Sequence, residues 1–372
     1  MHIRIKKPVP GLSAVSIENN FDFLSVEYEQ LFRRSVASAF QSPLWLHSFY
    51  SVLVPRLGAK PHIIVVRDAA TAQLQMVIPL AIQRYLGIGI LQPADLGVSD
   101  YNSIVADDAT LLALSCDKAL TARVRKLTSV ADVLIFRKIR NAPEAIAAML
   151  GSGRQTRNEN EAYEIDLAAG TYDDWQKTKL KKKFRCGTNK RLASLNAAYK
   201  SVEFVTFTSR QDIETAIRFI GEQRSSRFDD DILSQDGYLD FYLHHALAGA
   251  ESGQSVTSGM MVDGALVSAN FGIVSNHVYH SILCGARIED FKDYAPGLQS
   301  ILAIVRRRIE LGEMRFDFGI GKSRHKTDLG SVEQPLYNLT VAGSISGRAV
   351  ALVYNRAKPL KTLLRKKVGW IR

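Results

Sequence analysis

The chain has 372 residues, of which 46% are hydrophobic and 23% charged, a balance ordinary for a globular protein and enough for two cores of roughly 150–200 residues each. Three cysteines, Cys116, Cys186 and Cys284, are too few and too scattered for a disulfide framework or a zinc cluster, so no metal is expected and the setting reads as reducing and cytoplasmic. The net charge of +11 is concentrated at one end: residues from Gln334 to Arg372 include no Asp or Glu and supply eight of those eleven charges.

Met1 to Leu12 is basic without a following apolar run, so no secretory leader is expected, and no stretch approaches the ~18 apolar residues of a membrane span. Residues from Phe21 to Leu57 read as helical, broken at Phe40 to Pro43, with Trp45, Leu46, Phe49 and Tyr50 on one apolar face. His62 to Arg67 and Leu74 to Ile82 form a predicted hairpin around Ala69 to Ala72. A Gly/Pro-rich segment, Gly87 to Gly97, leads into the loop carrying Asp100 and Tyr101. Asp107 or Asp108 caps a predicted helix through about Leu127, and Ala131 to Ile139 follows as a strand.

Gly151 to Asn160 is polar and reads as the linker, which places the domains at 1–155 and 156–345, with a tail at 346–372. Tyr163 to Leu167 resumes as a strand. In the helical stretch after it, eight positive charges fall within the fifteen positions from Lys177 to Arg191. Val202 to Thr206 is a further strand, and Gln211 to Gln223 and Asp236 to Ala248 read as helices.

From Thr257 to Gly330 the pattern changes. Apolar runs at Val256 to Val262, Ala265 to Val274 and His277 to Gly285 are separated by Asp263-Gly264 and Ser275-Asn276, which predicts an antiparallel meander. A loop to Pro296 precedes a helix from Gly297, with Leu298, Ile301, Leu302, Val305 and Ile309 on one face, and Met314 to Phe318 is a final strand. Hairpin, loop, helix, strand is also the order of the first half. The two halves therefore read as divergent copies of one α/β (α+β) unit, a mostly antiparallel sheet flanked by helices.

The Ser99-Asp100-Tyr101 loop, Trp175 with the basic helix Lys179 to Leu195, Tyr294-Ala295-Pro296-Gly297, and Phe316-Asp317-Phe318-Gly319 with Gly321 and Lys326 resemble a bacterial acyltransferase family. That family lies in the GNAT superfamily, is associated with cellulose and exopolysaccharide biosynthesis, and is related to the FemABX peptidyltransferases. The last block departs from the family's Asp-x-x-x-Gly-x-x-x-Tyr-Lys pattern, with His325 in the aromatic position and Lys322 after the glycine. Pro296-Gly297 replaces the Gly-rich pyrophosphate loop of ordinary acetyltransferases. The resemblance implies two tandem GNAT-like units, with acyl-CoA (acetyl-CoA) as co-substrate. It also implies transfer to a hydroxyl or amine of a sugar, lipid-linked or polysaccharide-related acceptor.

Acyl transfer needs a base for the incoming nucleophile, donors for the oxyanion and an acid for the leaving group. Asp317, Lys326, Tyr279 and His280 are the catalytic candidates. Asp317 reads equally as a turn carboxylate, Lys326 as a surface lysine, and His280 as a satisfied strand histidine. By strand alternation Tyr279 and His280 face opposite ways. Tyr294, Gly297, Leu298 and Gln299 are the donor-binding candidates, because a helix start offers unpaired N–H groups to an anion. Trp175, Arg185, Asp100 and Tyr101 are the acceptor-binding candidates, against packed aromatics, a solvated basic face and a turn.

In the tail, Leu360, Leu363, Leu364, Val368 and Ile371 share one face of a predicted basic helix. It would either lie on an anionic membrane surface through 355–372, making the protein peripheral at the inner face, or dock on its own domain. Two other functions remain open: tRNA-dependent aminoacyl transfer of the FemABX type, and a non-catalytic part of a polysaccharide synthesis complex.

Overall fold

The computed structural model describes residues 13–168 and 170–356. Strands in chain order are β1 (Ser13–Ile17), β2 (Lys60–Asp68), β3 (Leu74–Tyr85), β4 (Ile88–Pro93), β5 (Val133–Ile139), β6 (Arg154–Arg157) and β7 (Ala162–Asp166). They continue as β8 (Val202–Phe207), β9 (Ser255–Val262), β10 (Ala265–Ser275), β11 (Val278–Ala286), β12 (Arg315–Ile320), β13 (Val332–Gln334) and β14 (Tyr337–Ala342). The helices begin with α1 (Val26–Arg34), α2 (Pro43–Ser48), α3 (Val54–Arg56), α4 (Asp108–Cys116), α5 (Lys118–Thr128), α6 (Pro143–Leu150) and α7 (Tyr172–Lys179). After them come α8 (Lys182–Ala198), α9 (Arg210–Ser225), α10 (Tyr238–Ala250), α11 (Ile288–Phe291), α12 (Pro296–Glu310), α13 (Arg324–Asp328) and α14 (Ile345–Arg356).

The described residues divide into two compact units: 13–47, 58–157 and 337–356 in the first, 48–57 and 158–336 in the second. The first holds a seven-stranded sheet in the order β1-β2-β3-β4-β5-β14-β6, the second a seven-stranded sheet in the order β13-β7-β12-β11-β10-β9-β8. Both follow one scheme. Four strands run antiparallel in chain order, and the fourth then pairs with the fifth in parallel: β4 with β5 through Ile90↔Val133 and Leu91↔Leu134, β11 with β12 from Val278↔Arg315 to His280↔Asp317. Further antiparallel strands close each sheet.

Differences from the sequence-based expectation have local causes. The 107–127 helix is two helices, because the Asp117 carboxylate accepts from the N–H groups of Ala119 and Leu120 and starts a new one. Within the expected linker, β6 pairs with β14, so residues 337–342 join the first sheet and not the second half. The turn after β10 falls at Asn276-His277, both with positive φ, so His277 lies in the turn and not on the strand. Asp263-Gly264 turns as predicted, again with both φ positive.

The apolar period of α12 is what binds it to the sheet. Ile301, Leu302, Ile304, Val305 and Ile309 are buried among Tyr163, Ile165, Trp175, Tyr279, Phe316 and Phe318. Each such aliphatic side chain contributes about 1.5–3 kcal/mol on burial. Gly312, at φ 74°, lets the chain turn out of the helix toward β12.

Candidate active site

Beyond their short parallel pairing, β11 and β12 separate, because β11 runs on through Ala286 while the next partners of β12 lie on β7. At the last paired position His280 and Asp317 face each other, with Nδ1 3.6 Å from Oδ2, and both are buried. The other Asp317 oxygen accepts the Gly319 N–H at 2.7 Å, which fixes the carboxylate at the head of the Gly319–Gly321 bend. Gly319 and Gly321 have φ of 70° and 89°, a backbone that L residues rarely adopt. Lys326, on α13, reaches back to donate to the carbonyls of Ile320 at 2.9 Å and Gly319 at 3.3 Å. It also stands 5.3 Å from the centre of the Tyr163 ring. The histidine, the carboxylate and the ammonium are thus held by one strand end and one bend.

Cys284, further along β11, is reached by solvent although protein encloses it closely enough for burial to push its thiol pKa up. The charges of Arg224, Arg227 and Lys326 oppose that rise. Arg224, at the end of α9, is held by the buried Asp231 at 2.6 Å. Sequence reasoning gave these arginines no role, and the one available signal was a pair of basic residues at a helix end in front of the meander.

The start of α12 is bare. No side chain caps it, its first turn holds no acidic residue, and Ala295 before it takes a left-handed backbone at φ 53°. Pro296 has no N–H, and the N–H groups of Leu298 and Gln299 both bond the Ala295 carbonyl. Gly297 is left with the one open amide of that turn. A Cβ there would meet only Ala286, at 3.8 Å.

The sequence-predicted residues separate into three groups. His280 and Asp317 come together, and Lys326 is tied to the Gly319–Gly321 bend that follows Asp317. Tyr279 does not join them: its ring faces α12, against Phe316 at 4.9 Å and beneath Arg308 at 4.8 Å, and burial drives its hydroxyl pKa well above the usual value. Of the donor candidates, only the Gly297 backbone stays open among the described residues. Tyr294 packs on Tyr199, Leu298 packs on the apolar core, and Gln299 donates to the Thr188 carbonyl at 2.9 Å, tying α12 to α8.

Two acceptor candidates are corrected outright. Trp175 is fully buried with its indole N–H on the Asp166 carbonyl, and Tyr101 is a core residue of the first unit packed on Phe40. Asp100 stands beside Tyr101 in that first unit, half-buried. Arg185 donates to the Gln176 carbonyl at 3.3 Å and is half-buried, while the neighbouring lysines 177, 179, 181, 182, 183 and 190 are exposed as a solvated face. Among the described residues no three His, Cys, Asp or Glu side chains group to hold a metal, and no helix is long and apolar enough to cross a membrane. The tail helix expected after Pro359 lies outside the described residues.

Residues 182–327, from α8 to α13, match the family described as acetyltransferase (GNAT) domain. That stretch is therefore similar to a GNAT-type acetyltransferase domain. The gap, His280, Asp317, Lys326 and α12 all fall inside it. No curated protein sequence matches the chain significantly. Among solved structures, FemX is similar with a TM-score of 0.57 at 10% identity, over 84% of this chain and 94% of that one. The C-terminal domain of a putative lysylphosphatidylglycerol synthetase from Agrobacterium fabrum is similar with a TM-score of 0.55 at 12% identity, over 90% and 95%. A conserved protein of unknown function from Bacteroides thetaiotaomicron is similar with a TM-score of 0.56 at 13% identity, over 88% and 100%. These likenesses show a fold shared along most of the chain.

Proposed function

We propose that the second unit transfers an acyl group from acyl-CoA to a hydroxyl or amine, at the gap between β11 and β12. The observation that carries this is the buried His280–Asp317 pair at the point where two parallel strands part, in the same domain as an uncapped, acid-free helix start. The residues fit an anionic donor there: the open Gly297 amide and the positive end of the α12 dipole meet negative charge, and no carboxylate of the first turn competes. Acyl-CoA, when bound, supplies the activated acyl carbonyl.

The chain's own groups then have separate tasks. With Nδ1 toward Asp317, His280 takes the acceptor's proton on Nε2, and Asp317 stabilises the imidazolium that results. Lys326 and Arg224 put positive charge beside the gap, where charge develops on the carbonyl oxygen and the leaving group. The acceptor reading is a sugar or a lipid-linked hydroxyl. The resemblance to exopolysaccharide acyltransferases supports the first, and the fold shared with a putative lysylphosphatidylglycerol synthetase supports the second.

Thermal shift tests the donor. Acetyl-CoA or a longer acyl-CoA at 100 times its Kd should stabilise the protein by about 2.7 kcal/mol, and free CoA should do so to a comparable degree. No shift with any of them at millimolar concentration refutes the reading. If the donor is aminoacyl-tRNA instead, tRNA binds and its affinity falls steeply as salt rises.

A further inference from the structure

On the β8–β10 side of the second unit, α7, α8 and α12 flank a half-open cavity of about 620 Å³ above the sheet, within the range of small-molecule sites. Its floor is a polar rung. Thr206, Ser258 and Asn270 are register partners on β8, β9 and β10, so their side chains share one sheet face. Asn270 is 1% exposed, and neither its amide nitrogen nor its amide oxygen has a hydrogen-bond partner among the described residues. The Ser258 hydroxyl beside it is buried and equally unpartnered. Buried polar atoms are nearly always satisfied, and here three that are not belong to two residues of one cavity's lining, on adjacent strands.

Two other buried polar groups of the lining are already engaged: Gln299 donates to Thr188, and Ser300 bonds Ser268. The unmet demand is therefore specific. A carboxamide with both ends open pairs with a group that presents an acceptor and a donor side by side, which is the edge of another amide. At the opposite wall Arg306 and Arg307 share the single carboxylate of Glu310, at 3.1 and 3.5 Å, and the buried Arg308 is paired with Glu313. Two guanidiniums thus meet one carboxylate at that wall, while Asp173, the other acid of the lining, lies on α7.

We propose that this cavity binds an amide-bearing anionic small molecule, with its amide on Asn270, its hydroxyls or carbonyl on Ser258, and its anion on Arg306 and Arg307. The site belongs to binding alone and does not rest on the acyl-transfer reading.

N-acetylglucosamine 1-phosphate is a suitable probe, since it joins an amide to a phosphate. Glucose 1-phosphate lacks the amide, N-acetylglucosamine lacks the anion, and inorganic phosphate lacks the sugar. In thermal-shift and calorimetric titrations of the full chain, the first should bind at least about tenfold more tightly than any of the other three. Asn270→Leu should abolish that binding and raise the ligand-free Tm by about 2–4 °C, because an unsatisfied buried amide gives way to an apolar group. Ser258→Ala should weaken binding several-fold with the Tm unchanged, which keeps the test intact should the leucine variant misfold.

A structural asparagine would behave in the opposite way, with Asn270→Leu lowering the ligand-free Tm, and that result overturns the proposal. Equal binding of all phosphates would reduce the site to an anion patch and also overturns it. So does the absence of any shift with the amide-bearing probe at about 10 mM. Acyl-CoA also joins amides to phosphates, so its stabilisation is compared in the parent and in Asn270→Leu: retention in the variant assigns it to the transfer site and not to this cavity.

Discussion

The two units start from one strand scheme and treat the end of its parallel pair in opposite ways. In the first, the loop after β4 folds back and zips onto β5: the Asn102 N–H bonds the Lys138 carbonyl at 3.0 Å, and Asn102 pairs with Ile139 as a parallel bridge. Asp95 is buried behind it, held by Arg137 at 2.9 Å, by Lys138 at 3.2 Å and by the Asn102 amide at 3.0 Å. Burial would push that carboxyl up. The two cations and the hydrogen bonds from Asn102 and Gly97 more than reverse this and hold it far below the usual carboxylate range.

In the second, the gap is lined by a histidine–carboxylate pair, and Cys284 beside it is reached by solvent. The helices differ in the same sense. Asp107 and Asp117 cap α4 and α5 with carboxylates, whereas α12 has no cap and no acid in its first turn. One frame can thus carry a gap filled with paired charge or a gap left open.

The sharpest way to break this contrast is at the two carboxylates. Asp317→Asn keeps an acceptor for the Gly319 N–H but removes the charge that faces His280. It should cut kcat by about 10²–10⁴-fold with donor binding preserved, and His280→Ala should do the same. Rates within a few-fold of the parent, read in a CoA-release assay, would move the chemistry elsewhere.

Asp95→Ala should act on stability and not on turnover. It leaves Arg137 and Lys138 without their buried partner, at a cost of about 3–5 kcal/mol in denaturant titrations. Acyl-CoA stabilisation of the second unit should persist in this variant, provided the two units unfold as separate transitions.

What the sequence disclosed, and what it hid, follows the range of the forces involved. The meander, α12 and β12 are legible because their periodicity and the Asp-Gly turn are local properties, and the same holds for Asp317 and Lys326, which sit in one short block. β14 was placed with the wrong unit because its pairing partners β5 and β6 are some 200 residues away in sequence, and strand pairing at that distance leaves no local mark. Trp175 and Tyr101 illustrate a different limit. Aromatic residues beside charged loops look like binding groups, and only packing shows that both are core. Asn270 was invisible for the same reason: an asparagine in an apolar strand reads as an irregularity until its neighbours are known.

A milder test grafts one unit's feature onto the other. Ala295→Asp places a carboxylate at the start of α12, as Asp107 does at α4. Aspartate tolerates the left-handed backbone found there, so the helix should persist. Its charge opposes an incoming anion, and donor affinity should fall by about 2–5-fold, more at low ionic strength than at high. An unchanged Kd would mean that the α12 end does not meet the donor's anion.

The smallest expected effect concerns protons. In the first unit His62 is buried against the Leu127 carbonyl, 3.0 Å from its Nε2. Burial lowers its pKa from the ordinary 6.5, and the bond to Leu127 only partly offsets this. The unfolded chain therefore takes up the proton first. The stability linked to His62 is complete above pH 6.5 and is lost as pH falls through the lower folded value.

In the second unit His325 is also lowered, by burial and then by the charge of Lys326, but solvent reaches it on α13 and screening shrinks its effect. Between pH 7.5 and 5, Tm should decline in the parent and flatten in His62→Gln. His325→Gln should follow the parent curve. A reversed ranking of the two variants would mean that the buried histidine is not the one whose proton uptake weakens the fold.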